Sequence, residues 1–402
     1  MPDAALIHWT ESDAPQQARW RSERSTPPSA SVVLADDTLS ADAAYRLACE
    51  GTALLWRGDF HNARQLLLAL ARRLDRRLEQ PRRRKARGGA EHPPTTANEA
   101  PGSAFHRHRQ AQSHRARVLG QVLIPLNGDY AIPLRRAPDH RLACSQAWGP
   151  GEGQPAVVSL RELLGVVSAF EWRRKGVPVP ALGPAPDNHI HPHFGVFSPV
   201  RGEYVDLVAR TPLPAGAEAL AFDIGTGTGV LAAVLARRGV QRVVATDSDA
   251  RALACARDNL ARLGLADPVQ VIDADLFPPP PHDRAALVVC NPPWLPARAG
   301  SAIERAVYDE DSAMLRGYLS GLAPHLLPGG EGWLILSDLA ERLGLRPRDV
   351  LMGWIAAAGL QVLGRVDTRP THPKAADATD PLHAARAGEV TSLWRLGTAA
   401  PA

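Results

Sequence analysis

The chain has 402 residues, 46 Lys+Arg against 42 Asp+Glu, and 45% hydrophobic residues. Such a composition suits two or three globular domains and excludes a wholly disordered chain. No apolar run reaches the roughly 18 residues of a membrane span, and the first 30 residues lack the apolar stretch of a secretory signal. The cysteines Cys49, Cys144, Cys255 and Cys290 lie far apart without a CxxC, so no disulfide framework or structural zinc site is indicated, and a reduced, cytoplasmic setting is expected. Only Lys85, Lys175 and Lys374 are lysines, a bias that reads as genomic composition. Residues 71–120 hold thirteen basic and four acidic residues, net +9, whereas residues 211–402 are net −3. That basic segment is either a nucleic-acid contact or a solvated tail.

In chain order, residues 1–38 are expected to be a disordered leader. Asp42 to Arg77 carries apolar residues at helical spacing, from Ala44, Leu47, Ala48, Leu54 and Leu55 to Leu74, with a break at Gly58-Asp59. Residues 80–116 lack apolar rhythm and read as a basic loop or disordered insertion. Val118–Ile124 is strand-like, Asn127-Gly128-Asp129 is a turn signal, and Tyr130–Ile132 could return as a second strand. Ser159 with Glu162 three residues on marks a helix start, running to Trp172. Residues 176–192, rich in Pro and His, read as a linker. The expected organisation is a leader (1–38), a smaller α+β N-terminal substrate-recognition domain (39–190) and a catalytic domain (191–402). Trp56, Trp148, Trp172, Trp333 and Trp354 are expected to serve packing.

Beyond residue 194, strands alternate with helices. Strands are expected at 220–224, 242–246, 269–272, 286–290, 332–336, 360–366 and 390–396. Helices are expected at 230–238, 249–263, 312–326 and 348–358. This alternation predicts an α/β sheet with helices on both faces.

Two motifs carry chemistry. Asp223-Ile224-Gly225-Thr226-Gly227-Thr228-Gly229 joins a strand to a helix, where glycines let the backbone turn sharply and approach a ligand. The next strand ends at Asp247, placed to accept hydrogen bonds from both hydroxyls of a ribose. The spacing is not GxGxxG and no GxxxxGK[ST] occurs, which disfavours a nicotinamide cofactor and a phosphate-loop nucleotidase. Asn291-Pro292-Pro293-Trp294 follows a strand. Its prolines cannot extend a central strand, so it makes a stiff edge presenting an amide and an aromatic face. The histidine trio His189, His191 and His193 has no cysteine or carboxylate cluster beside it, and no metal site is expected.

Residues 194–396 resemble the class I S-adenosylmethionine-dependent methyltransferases, in the branch that methylates planar amino nitrogens, which includes the release-factor glutamine methyltransferases. The resemblance implies a seven-stranded Rossmann-like sheet and S-adenosyl-L-methionine as cofactor. Asp223, Gly225, Thr226, Gly227 and Gly229 match the cofactor loop, Asp247 the ribose acid, and Asp275, with Asp273 as the second choice, the acid near the adenine. Asn291, Pro292, Pro293 and Trp294 match the catalytic tetrapeptide, with Trp where Tyr is commonest and so without a phenolic hydroxyl. Asn291 is counted with the cofactor-binding residues too. Phe197-Ser198-Pro199-Val200-Arg201-Gly202-Glu203 resembles the segment that covers the cofactor, with Phe197, Pro199, Arg201 and Glu203 carried over. The resemblance implies N-methyl transfer, first to a protein glutamine amide. The alternatives are an exocyclic amino group of RNA or DNA, a small-molecule amine, and a binding protein without turnover. The partner is therefore a protein or a nucleic acid, with no membrane involved.

Overall fold

The computed structural model describes residues 5–87, 101–280, 284–370, 377 and 379–399, with the side chains of 77–87 left aside. The chain divides into two compact units, Met1–Glu171 and Trp172–Ala402.

The first unit holds β1 (Leu6–Glu11), β2 (Ala14–Arg21), β3 (Val32–Ala35), α1 (Ala41–Glu50), β4 (Ala53–Trp56), α2 (Phe60–Arg87), α3 (Ser103–Leu119), β5 (Val122–Leu126), α4 (Arg141–Trp148) and β6 (Ala156–Ser159). Helix α5 (Leu160–Lys175) carries the division between the units. Among the described residues these strands form a six-stranded mixed sheet in the order β1-β2-β6-β5-β4-β3.

Several expectations for this region are overturned. The leader is not disordered where it is described, because residues 6–35 supply three strands of the sheet. Ser12 and Asp13, both at positive φ (52° and 60°), join β1 to β2 in a tight hairpin without the Asn-Gly or Asp-Gly that announces such a turn. Only Ile7 in β1 and Ala18 in β2 are buried, so the apolar alternation is too sparse to read. The long helical reading from Asp42 is interrupted by a strand. Gly51, at φ 92°, stops α1, its N–H donating to Ala48 O, and Leu54 and Leu55 fall in the fully buried β4. The basic loop is helical at 80–87 and 103–116, and Phe105 and Val118 of α3 are buried in the core. Residues 88–100 of that loop lie outside the described residues. Val118 and Leu119 end a helix, and the strand starts at Val122. Tyr130 begins no second strand. It sits at φ 69° with its ring edge-on to Trp148. The Ser159 start does hold, with Ser159 Oγ accepting from Glu162 N at 3.1 Å, although the Glu162 carboxylate turns to Ser22 and Glu23. Trp56 and Trp333 are buried as expected, but Trp172 is 45% exposed.

The second unit opens on β7 (Val177–Pro178) and β8 (His189–Ile190), an antiparallel pair. The expected linker is therefore part of this fold, and Val179, Leu182 and Ile190 are buried in its core. There follow α6 (Glu203–Arg210), β9 (Ala221–Ile224), α7 (Val230–Arg237), β10 (Val243–Asp247), α8 (Ala250–Arg262), β11 (Val269–Asp273), β12 (Ala285–Cys290), α9 (Ala302–Arg305), α10 (Ala313–His325), β13 (Leu326–Ser337), α11 (Leu339–Arg342), α12 (Arg348–Ala357), β14 (Leu360–Thr368), α13 (His383–Ala387) and β15 (Thr391–Thr398). Every strand and helix expected after residue 194 is present. The seven-stranded sheet runs β11-β10-β9-β12-β13-β15-β14, the first five parallel and β15 antiparallel to both its neighbours.

Strand periodicity builds two core layers. Ala221, Leu287, Val289, Trp333 and Ile335 face one layer with Val205 and Val208 of α6, Val234 of α7 and Leu260 of α8. Phe222, Ile224, Val288, Cys290, Leu334 and Leu336 face the other with Leu315 and Leu319 of α10 and Ile355 of α12. Burial on both faces is why these strands read as continuous apolar runs. Among the described residues no helix is long and apolar enough to cross a membrane.

Candidate active site

The site lies at the carboxyl edge of the parallel strands. The glycine loop leaves β9 and enters α7. Asp223, 1% exposed, braces it from beneath. Its Oδ2 accepts from Thr226 Oγ1 at 2.6 Å and from Ala232 N at 3.0 Å. Burial pushes its carboxyl up to about 6. Asp223 thus shapes the loop from within. Gly227, at φ 56°, faces open space where a side chain would stand, so the backbone is free to meet a ligand there. Gly229, at φ 80°, packs against α8, where a Cβ would lie 3.2 Å from Ala256 Cα.

Asp247 ends β10 and reaches back to the loop. Its Oδ2 accepts from Gly227 N at 3.0 Å and its Oδ1 from Asp249 N at 2.9 Å. Burial raises its carboxyl above the usual range. Asp273 pairs with Asp247 in the register of β10 and β11, and Asp275 follows two residues later, both exposed. Thr246 Oγ1 donates to Leu276 O and holds that turn against the sheet.

Strand β12 runs beside β9 with Cys290 opposite Ile224, so Asn291 emerges next to Gly225. Pro292 and Pro293 are buried. Trp294 Nε1 donates to Asn291 Oδ1 at 2.9 Å, which orients the amide. Trp therefore brings an N–H where Tyr would bring a hydroxyl. Arg346 Nη2 donates to Trp294 O at 3.3 Å and its Nη1 to Ser312 Oγ at 3.2 Å. Asp309 accepts from Met314 N and Leu315 N and caps α10, and a Cβ on Gly225 would stand 2.5 Å from Met314 Cε.

In the covering segment Pro199 is buried and Phe197 half-buried. Arg201 reaches the tetrapeptide, its guanidinium over the Trp294 ring, and Glu203 pairs with Arg201. The structure thus joins Asp223 to Thr226, Asp247 to Gly227, Asn291 to Trp294, and Arg201 to both Glu203 and Trp294. Sequence reasoning missed Asp309, Met314, Arg346 and Glu389. None sits in a recognisable local pattern, and only the fold brings them in. Of the histidine trio, His191 and His193 dock on α8. His193 Nε2 lies 2.9 Å from Asp258 Oδ2, and His191 N donates to Asn259 Oδ1.

A family model for the methyltransferase small domain matches residues 187–336. That match lies within the second unit, which is therefore similar to the methyltransferase small domain. The release factor glutamine methyltransferase of Cereibacter sphaeroides is 32% identical over 154 residues, covering 35% of this chain and 52% of that protein. The protein of the same description from Moorella thermoacetica is 36% identical over 115 residues, 28% of this chain and 41% of that protein. The ribosomal protein L11 methyltransferase of Pelotomaculum thermopropionicum is 47% identical over 70 residues, 17% of this chain and 22% of that protein. The chain therefore spans about half, or less, of the length of these relatives. The small-domain match contains the glycine loop, Asp247, Asp275 and the tetrapeptide, along with Arg201 and Glu203.

The residues present fit S-adenosyl-L-methionine. The loop offers open backbone at Gly227, and the Asp247 carboxylate stands one strand away, where it would accept hydrogen bonds from ribose hydroxyls, with Asp273 and Asp275 exposed beyond it.

Proposed function

We propose that this chain is an S-adenosylmethionine-dependent N-methyltransferase acting on a planar amino nitrogen, first among them a protein glutamine amide. The observation that carries the reading is the placement of Asn291-Pro292-Pro293-Trp294 beside the glycine loop at the carboxyl edge of the sheet. The relatives named for release-factor glutamine methylation support the protein-amide choice.

When bound, the cofactor supplies a methyl group on an electron-poor sulfonium. Asp223 holds the loop in shape and Asp247 fixes the loop's Gly227 N–H, so the binding edge is built before ligand arrives. Asn291 Oδ1 has two lone pairs. One takes the Trp294 N–H, and the other is available to an N–H of the acceptor. The Pro292 carbonyl is the second acceptor. Holding both N–H groups turns the nitrogen lone pair toward the methyl, and the carbonyl dipoles stabilise the positive charge that grows on nitrogen. The indole face opposite Arg201 supports the flat group from the side.

A base amino group is the second reading. The observation that favours it is α3, whose seventeen residues contain no acid and expose Arg107 and Arg117. The test is transfer of labelled methyl from S-adenosylmethionine into an extract of cells lacking the protein, followed by protease or nuclease. Label lost to protease supports the amide reading, and label lost to nuclease supports the base. Absence of macromolecular label, with cofactor binding intact, overturns both.

A further inference from the structure

Three residues meet the Arg201 side chain, and a fourth braces one of them. Its Nε donates to Glu203 Oε1 at 2.8 Å, at the start of α6. Its Nη2 donates to Glu389 Oε1 at 3.0 Å, two residues before β15. Its guanidinium carbon lies 4.9 Å from the centroid of the Trp294 ring. Ser337, at the end of β13, donates its hydroxyl to the same Glu389 oxygen at 2.6 Å. The side chains of Glu203 and Glu389 are each 3% exposed, so both pairs are shielded from water.

A guanidinium has an edge of donors and a flat face. Here donors on the edge are taken by two carboxylates, and the guanidinium carbon lies over an indole. Two buried carboxylates hold one cation, and among the described residues Glu203 Oε2 has no hydrogen-bond partner. That arrangement is costly unless the cation is needed where it stands. What it touches is Trp294, whose edge is already committed to Asn291 Oδ1. Beyond that bond the indole rests only on its packing against the two core layers, and a tilt would swing the Asn291 carbonyl away from its direction. The Arg201 cation over the ring adds a polar restraint to that packing.

We propose that Arg201, gripped by Glu203 and Glu389, is a positioning residue: it fixes the plane of Trp294 and, through it, the direction in which the Asn291 carbonyl meets the acceptor nitrogen. The proposal rests on the methyl-transfer reading for its consequence, and on the geometry alone for the clamp. Arg201 and Glu203 come from the segment first read as a cofactor cover, and Glu389 ties that cover to the far end of the chain.

The clamp is tested on the full chain labelled with 5-fluorotryptophan, the Trp294 fluorine resonance being assigned by its loss in Trp294→Phe. Arg201→Lys keeps the charge between the two carboxylates but loses the flat fork. Glu389→Gln releases one arm and leaves the cation in place. The expected result is that both variants shift and broaden the Trp294 resonance while S-adenosylhomocysteine binding stays within about twofold. Methyl incorporation at saturating extract should fall about tenfold, because small misplacement of reacting groups costs rate rather than cofactor affinity. An unmoved Trp294 resonance in both variants overturns the clamp. So does a faster reaction, or half-saturation at less extract, in Arg201→Lys, since Arg201 would then be competing with the acceptor for the indole face. If the unaltered protein transfers no label, the methyl-transfer reading fails while the fluorine measurement still decides the clamp.

Discussion

Asp223 carries a charge that its surroundings resist. Its folded pKa of about 6 lies above the 3.8 of a free aspartate. Below both values the group is protonated whether folded or not, and it contributes nothing to pH dependence. Between them the native state binds the proton more tightly, so stability falls as pH rises, and above about 6 the full penalty is present, about 3 kcal/mol. Asp223→Asn removes this titration. Its melting temperature relative to the unaltered protein should therefore climb between pH 4 and 6.5 and then level off, and a pH-independent difference would refute the assignment. Asp247 is the complementary case, a carboxylate whose oxygens face the loop. Asp247→Asn should weaken S-adenosylhomocysteine binding about 10- to 100-fold by calorimetry, the cost of losing hydrogen bonds to a charged acceptor. Asn291→Ala should cut transfer by about 100-fold or more while cofactor affinity stays within twofold. Equal losses of both would place Asn291 on the cofactor instead. These residues were legible because each sits at a strand end in a short local pattern. Glu389 and Arg346 were not, because they meet Arg201 and Trp294 across long sequence separations.

At the level of elements, apolar periodicity read well where strands are buried on both faces and poorly elsewhere. All the strands and helices expected between β9 and β15 are present, within a few residues for most and short by six residues at the start of β13. In the first unit, β4 presents four buried residues that fit a helical count as readily as a strand, and Gly51 decides the matter only through its left-handed backbone. The same holds for α3, where Arg and His obscure the few apolar residues that anchor it. Phe105 is 2% exposed and Val118 fully buried. Deleting residues 103–116 should therefore lower the melting temperature of the chain by about 5 °C or more, since removing a buried Phe alone costs roughly 3–5 kcal/mol. An unchanged transition would restore the reading of this stretch as a dispensable insertion.

At the level of the molecule, each unit has its own sheet, and neither is a repeat of the other's strand order. The order of the second sheet could not be read from the sequence, because periodicity identifies strands without saying which lie side by side. Strand β15 enters between β13 and β14, bonded along both edges. Ending the chain after Glu389 should abolish the cooperative unfolding transition of the second unit, even though the glycine loop and the tetrapeptide remain. A retained transition would show β15 to be peripheral. This insertion also orders events during synthesis. The parallel strands are complete when β13 ends at Ser337, yet its partner begins 54 residues later, at Thr391. At about 5–20 residues per second, the ribosome needs roughly 3 to 10 seconds to make that interval. Throughout it, the apolar edge of Leu334, Ile335 and Leu336 stands unpaired, an opening for chaperones and for aggregation that closes only when the β15 residues arrive.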